Sequence, residues 1–343
     1  MRFLLALALL FASSASSKSF PPLGAIDLYG NRTTSSSEIR KALTFQEGDT
    51  IHFDLFDAQK REAEQKLAEI PDVRRAFLTL VCCTEDRKSM LYVGIEEDAS
   101  PCLQFLPEPT GTVQLSSEVS KASKEVADAW EKAVLNRDTT EDDSQGHAIN
   151  SDPQLKTLQL ALIPLAEAHL ANLREVLRGS SDADQRAIAA QVLGYVKDKQ
   201  AVVTDLVAAM RDPSSEVRNN AMRALMVFTK YTPKPPAKKI QVPSEPFLEM
   251  LNSCIWTDRN KSSAAVEELT ESHDPALLTE LREHALVSLI EMARWKSMLH
   301  ASTSLTILGR MGGLTEGEIL TAEDSGNREA IIATAQKTAA RQN

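Results

Sequence analysis

Two Asp–Arg pairs, four residues apart in one segment and six in the next, are the first candidates for chemistry in this chain. Asp182 and Arg186 mark one segment, Asp212 and Arg218 another, and the two arginines stand 32 residues apart. A catalytic carboxylate–guanidinium pair is one reading. The other is structural: a carboxylate caps the N–H groups at a helix start, and a guanidinium bonds neighbouring carbonyls or the next repeat's carboxylate. The offset that superposes the arginines also superposes Ala189 on Ala221 and Leu193 on Leu225. Charged, small and apolar residues recurring in step describe a packing unit, so Asp182, Arg186, Asp212, Pro213 and Arg218 are read as fittings of a repeat turn.

The remaining reactive residue types are scattered. Asp142, Asp143 and His147 combine carboxylate and imidazole, a metal-ligand set, but an ordinary acidic loop has the same composition. His169 lies on an apolar helical stripe and is expected to be a partly buried core residue. His284 and His300 have no ligand-spaced neighbour. Nucleophile-elbow, zinc-protease, Walker and dinucleotide fingerprints are all missing, and only 13 glycines are available for phosphate loops. Cys82, Cys83, Cys102 and Cys254 include no C-x-x-C pair. Adjacent Cys82 and Cys83 would face opposite sides of a strand, and one could reach Cys102 if the chain folds back; small buried thiols are the alternative. No catalytic residue, cofactor or metal is assigned.

Binding chemistry has better candidates. Trp256, Arg259 and Lys261 crowd one inter-helix turn, and Trp and Arg are enriched in binding surfaces. A groove lined by the second helix of each repeat would present Asn219, Arg223, Lys261 and Glu268. Lys230, Lys234, Lys238 and Lys239 accompany Pro233, Pro235 and Pro236, either as a dock for an acidic partner or anionic lipid or as an extended insertion. Asn31–Thr33 forms a glycosylation sequon in a turn.

Composition bounds these choices. The chain has 343 residues, 43% apolar and 25% charged, with a formal net charge of −10. That is a core-forming composition, and its acidity argues against nucleic acid as a partner. Met1 and Arg2 precede an apolar run, Phe3–Phe11, and then small residues around Ala15. This is the layout of a secretory signal peptide over residues 1–17, with a retained anchor as the rival. No later transmembrane run follows, and peripheral membrane contact is left open. The expected location is the periplasm or cell envelope, or secretion beyond it.

Residues 20–98 read as strand, helix, helix, strand, strand, a small α+β domain. Ile26–Asn31, Ser36–Arg40, the Gly48–Asp49 turn, Leu67–Val73 and Leu91–Glu96 together resemble a POTRA (polypeptide-transport-associated) domain. The resemblance implies an extracytoplasmic module that contacts other proteins, often by strand addition at a sheet edge. The outer-membrane barrel or division-protein tail that usually accompanies it has no counterpart here.

Residues 99–116 read as a proline-rich linker, and residues 117–150 as a helix followed by an acidic loop. From 151 to 341 the chain is helix after helix. Pro164 is expected to kink or split a long helix from Pro153 to Arg178. Asp212 and Pro213 are expected at the N-cap and first position of a helix, and Thr257 or Asp258 caps the one starting at Arg259. Pro153–Arg310 resembles HEAT-like repeats, most clearly across Arg186–Lys230. The fold class expected is a mostly α superhelix, a HEAT-like solenoid, with a small N-terminal α+β domain. The function expected is that of an exported, non-enzymatic scaffold or adaptor with a protein partner. The alternative is an enzyme, or a ligand or chromophore carrier, built on the same solenoid.

Overall fold

The computed structural model describes residues 19–340 except 83, 85, 101, 137, 139 and 232–237. The signal peptide expected over residues 1–17, and Lys234 with its neighbouring prolines, lie outside the described residues.

The N-terminal module is built from β1 (Leu23–Tyr29), α1 (Ser36–Ala42), α2 (Phe53–Leu67), β2 (Val73–Cys82) and β3 (Ser89–Glu97). Ser35 starts α1 through a capping box with Glu38. The sheet order is β1-β3-β2, with β1 parallel and β2 antiparallel to β3. One face carries Ile26, Leu78, Leu91, Val93 and Ile95 against Ile39, Ala63 and Leu67 of the two helices. The opposite face carries Ala25, Tyr29, Met90 and Tyr92, which belong to the core of the helical region. Central strand β3 is therefore buried along its whole length. A strand covered on both faces needs no polar alternation.

The helical region begins earlier than the repeats legible in sequence. It comprises α3 (Ser117–Asn136), a hairpin of β4 (Glu141–Asp142) and β5 (Ile149–Asn150), α4 (Pro153–Ala168), α5 (Leu170–Gly179), α6 (Ala183–Leu193) and α7 (Val203–Ala209). Then follow α8 (Ser215–Lys230), α9 (Glu245–Met250), α10 (Trp256–Thr270), α11 (Pro275–His284), α12 (Leu286–Ala293), α13 (Met298–Gly312), α14 (Glu316–Asp324) and α15 (Arg328–Ala340). Helices α6, α8, α10, α13 and α15 pack in succession as one layer. Helix α3 packs on α4 and α6 and so continues the solenoid.

Several local expectations need correction. Pro164 sits inside α4, and the break falls at His169, which ends α4 and starts α5. His169 is half-buried and reaches Glu118 at 3.2 Å. Helix α8 is capped at Ser214, so Asp212 precedes the N-cap and accepts the Ser214 N–H at 2.8 Å. Helix α10 starts at Trp256 without a side-chain cap. Segment 99–116 is not a free tether. Leu106 N–H donates to the Arg211 carbonyl, Gly111 exchanges bonds with Gly179 and Ser181, and Leu115 N–H donates to Gln185.

The module docks on the solenoid through aromatic rings. Tyr92 stacks on Trp256 with centroids 5.1 Å apart and meets Trp295 at 4.9 Å. Tyr29 donates its hydroxyl to the Cys254 carbonyl at 3.0 Å. Gly94 permits this closeness: a Cβ there would stand 1.9 Å from the same carbonyl oxygen. Asp27 accepts the Lys296 N–H at 2.8 Å. Cys102 is disulfide-bonded to Cys254, across 152 residues, and not to Cys82 or Cys83. Cys83 and the Cys82 side chain lie outside the described residues.

Two outcomes follow from this junction. Losing a cross-link over so long a loop costs about 2–5 kcal/mol. Cys102→Ser/Cys254→Ser should therefore lower the thermal midpoint, and an unchanged midpoint would show that the rings and hydrogen bonds carry the junction without the cross-link. His300 Nδ1 lies 2.6 Å from Tyr92 Oη, and burial pulls the imidazole down to about 4. The folded state holds it neutral, so the unfolded chain binds more protons between that value and the ordinary one near 6.5. Urea unfolding should show stability rising with pH across that window and complete above it. His300→Gln should make the slope shallower.

Candidate functional site

The repeat fittings form a ladder of buried guanidinium groups. Arg186, on α6, donates to the Asp212 carboxylate at 2.8 and 3.0 Å and to the Ser180 carbonyl at 2.8 Å. Arg218, on α8, repeats the pattern with the Asp258 carboxylate at 3.0 Å and the carbonyls of Asp212 and Pro213. Arg259, on α10, donates to the Ser253 carbonyl at 2.5 Å and to Glu291 at 2.7 Å. Each rung ties a turn's own carbonyls to an acid of the next repeat. Asp182 caps α6, accepting from the N–H groups of Asp184 and Gln185.

The strap 99–116 seals this edge. Phe105 lies over the Arg218 guanidinium at 3.7 Å, and Glu108 accepts from Arg186 at 3.0 Å. The third rung is sealed by the N-terminal module. The Tyr29 ring lies 4.5 Å from the Arg259 guanidinium, and Glu291 also accepts from Gly30 N–H and pairs with Arg32. The three guanidinium groups are thus buried, and the bonds they make are to the chain's own acceptors.

This corrects the reading of Trp256 and Arg259 as partner contacts. Both are buried, and both face the chain's own sheet. The turn looked like a binding surface because it is one, with the binding partner in the same chain.

Asn219, Arg223 and Lys261 are placed elsewhere, on the face where α3 and the hairpin meet α6, α8 and α10. A cleft of about 260 Å³ opens there, lined by Trp130, Gln159, Gln191, Tyr195, Asn219 and Arg223. Asn220 anchors its wall by donating to the Ala187 carbonyl at 2.9 Å. Arg223 stands 5.4 Å from the Trp130 ring and pairs with Glu141. Burial and the Arg223 charge pull the Lys261 ammonium down to about 8, opposed by Glu141. Glu268 falls in a separate cleft of about 500 Å³ with Lys239 and Glu271, where burial and Glu271 raise its pKa. The cleft at Asn219 offers amide donors and acceptors, an indole face and a cation. Such a set has the hydrogen-bonding and cation–π capacity to meet polar groups.

The candidate ligands of the acidic loop, Asp142, Asp143 and His147, turn to separate partners. Asp142 accepts the Ser144 N–H, Asp143 pairs with Lys230 at 3.6 Å, and His147 turns inward onto the Tyr195 ring. Among the described residues no group of three or more His, Cys, Asp or Glu is placed to hold a metal. Asp258, Glu291, Trp130 and Tyr195 were not legible as site residues. From rung to rung the acid follows its arginine by 26, 40 and 32 residues, so no single offset points to Asp258 and Glu291.

The ladder makes a sharp prediction. Burial raises the Asp258 pKa against the pull of Arg218, so the pair survives only while its hydrogen bonds are complete. Arg218→Ala strands a buried carboxylate and should cost about 3–5 kcal/mol in denaturant unfolding. Arg218→Met/Asp258→Leu should recover much of that loss.

Residues 170–240 match the family model described as HEAT repeats, the segment from α5 to α8 and the chain just beyond it. No curated protein matches the chain. The matched segment holds the first rung, Arg218 of the second and the Asn219–Arg223 wall of the cleft, while Asp258 and the third rung lie beyond it.

Proposed function

We propose that the protein is an exported, non-enzymatic scaffold of the cell envelope that binds another protein on the solenoid face around Asn219 and Arg223. HEAT repeats suggest a protein-interaction role, and the observation that carries this assignment is the cleft itself. Trp256 and Arg259, the other candidates at a repeat turn, are buried against the chain's own sheet. The N-terminal module, with the order and layering of a POTRA-like domain, serves in this reading as the solenoid's cap.

Strand addition to the module is disfavoured by its edges. The outer edge of β1 exchanges bonds with Gly48 and Asp49 at Leu23, and Arg40 occupies the Ile26 carbonyl. On β2, Glu64 takes the Leu78 N–H at 2.8 Å. Filled edge groups guard a sheet against pairing.

The apolar run Phe3–Phe11 supports the export part of this proposal, and a disulfide between Cys102 and Cys254 is compatible with it. Among the described residues no helix is long and apolar enough to cross a membrane.

A photo-crosslinking residue at Asn219 tests the assignment in intact cells. It should yield one discrete adduct, while the same residue at His284, on an outer helix, yields none. Equal labelling from both positions, or none from Asn219, would remove the cleft as the binding face.

A further inference from the structure

The Thr140–Ser151 hairpin has two arms held by different physics. The arm His147–Asn150 is rooted in the core. Ile149 and Asn150 are buried, Asn150 N–H donates to Gln159 at 2.7 Å, and Tyr195 donates to the Ala148 carbonyl at 2.9 Å. The arm Glu141–Asp143 has no such anchor. Glu141 and Asp142 are exposed, and the two arms are joined by a two-residue ladder and by the Ser151 N–H, which donates to the Thr140 carbonyl at 2.9 Å. What holds the acidic arm to the solenoid is charge: Glu141 on Arg223, and Asp143 on Lys230 at 3.6 Å. Lys261, one helix over, feels both Arg223 and Glu141.

Those cations are arranged for a carboxylate ligand. Arg223 and Lys230 share helix α8, and Lys261 approaches from α10. Arg223 and Lys261 are half-buried and repel each other, so the strip is stabilised by any anion laid across it. Glu141 and Asp143 are two residues apart, and alternate residues of an extended chain point the same way. The amide-lined cleft beside Trp130 continues from the Arg223 end of this strip.

We infer that Arg223, Lys230 and Lys261 form a docking strip for an extended acidic segment of a partner protein, and that the Glu141–Asp143 arm occupies it in the free protein. The inference rests on the groove being the partner-binding face and adds the chemistry of the partner. The chain's own arm shows the mode: alternate carboxylates, extended backbone, no apolar anchor. Displacement exchanges half-buried ion pairs for equivalent ones, so the strip stays shielded without being blocked.

The test uses the full chain and a fluorescein-labelled peptide carrying the Thr140–Gln145 sequence twice in tandem. Glu141→Gln/Asp143→Asn removes the competing charges at two surface positions. By fluorescence anisotropy this variant should bind the peptide at least about ten-fold more tightly than wild type, and about ten-fold more weakly when salt rises from roughly 50 to 500 mM. Adding Lys230→Gln should reverse the gain, and a peptide with Gln and Asn in place of its acids should not bind. Equal affinity of wild type and the neutralised variant, both with native circular dichroism, overturns the inference. So does equal binding of the uncharged peptide. Tighter binding of inorganic polyphosphate than of the peptide overturns it in favour of a general anion site. A discrete adduct from Asn219 alongside any of these failures leaves the groove assignment standing and removes only its preference for acids.

Discussion

A buried guanidinium must find a hydrogen-bond acceptor for each of its donors, and that demand organises this molecule. Arg186, Arg218 and Arg259 each lie under the surface of their repeat. Local carbonyls supply part of the need, and an acid of the following repeat supplies the rest. The consequence is register. A slip of one helix by one residue would strand a charge on both sides of the junction. Removing two charges from water is costly enough that such pairs contribute little to net stability against a well-packed apolar alternative. They discriminate between arrangements, because only one arrangement satisfies them.

Burying the ladder requires covers, and the covers explain the rest of the fold. A helix pair alone leaves its turn edge open to solvent. The strap brings Phe105 and Glu108 to the first two rungs, and the module brings Tyr29 and Arg32 to the third. The module in turn has a second sheet face to bury, and Trp256 and Trp295 receive it. Solenoid, strap and module are mutually dependent. The disulfide joins the strap, at Cys102, to the turn before α10, at Cys254, where these three parts meet.

The sequence disclosed the ladder only where spacing was regular. Arg186 and Arg218 share a period with their apolar neighbours, so the repeat and its helical class could be read directly. The next acids, Asp258 and Glu291, follow after an insertion and after a helix break at Ala285, and no fixed offset leads to them. The solenoid-facing side of β3 was hidden for a different reason. Met90, Tyr92, Gly94 and Glu96 mix apolar, small and charged residues, which reads as an exposed face. Glu96 is buried because Arg75 and the Cys102 N–H satisfy it, and Gly94 is there to admit a carbonyl. The Cys102–Cys254 pairing escaped because local strand logic favours near neighbours, while this bridge depends on module docking. Trp256 and Arg259 show the general difficulty. Residues that bind a partner and residues that bind a distant part of the same chain have one composition.

That equivalence bears on the groove as well. Intramolecular contacts are made at an effective concentration no free partner reaches, so a chain can hold its own acidic arm with ion pairs too weak to retain a separate ligand. A partner must therefore add contacts the arm does not make. The unused surface beside Arg223 is the cleft of Trp130, Gln191 and Asn219, which presents an indole face and free amide capacity next to the charged strip. Charge alone would give a ligand no advantage over the arm. Charge followed by an extended backbone or side chain entering the cleft would. The same geometry that silences the strip in the free protein thus sets the criterion by which a true ligand is distinguished from the chain's own imitation of it.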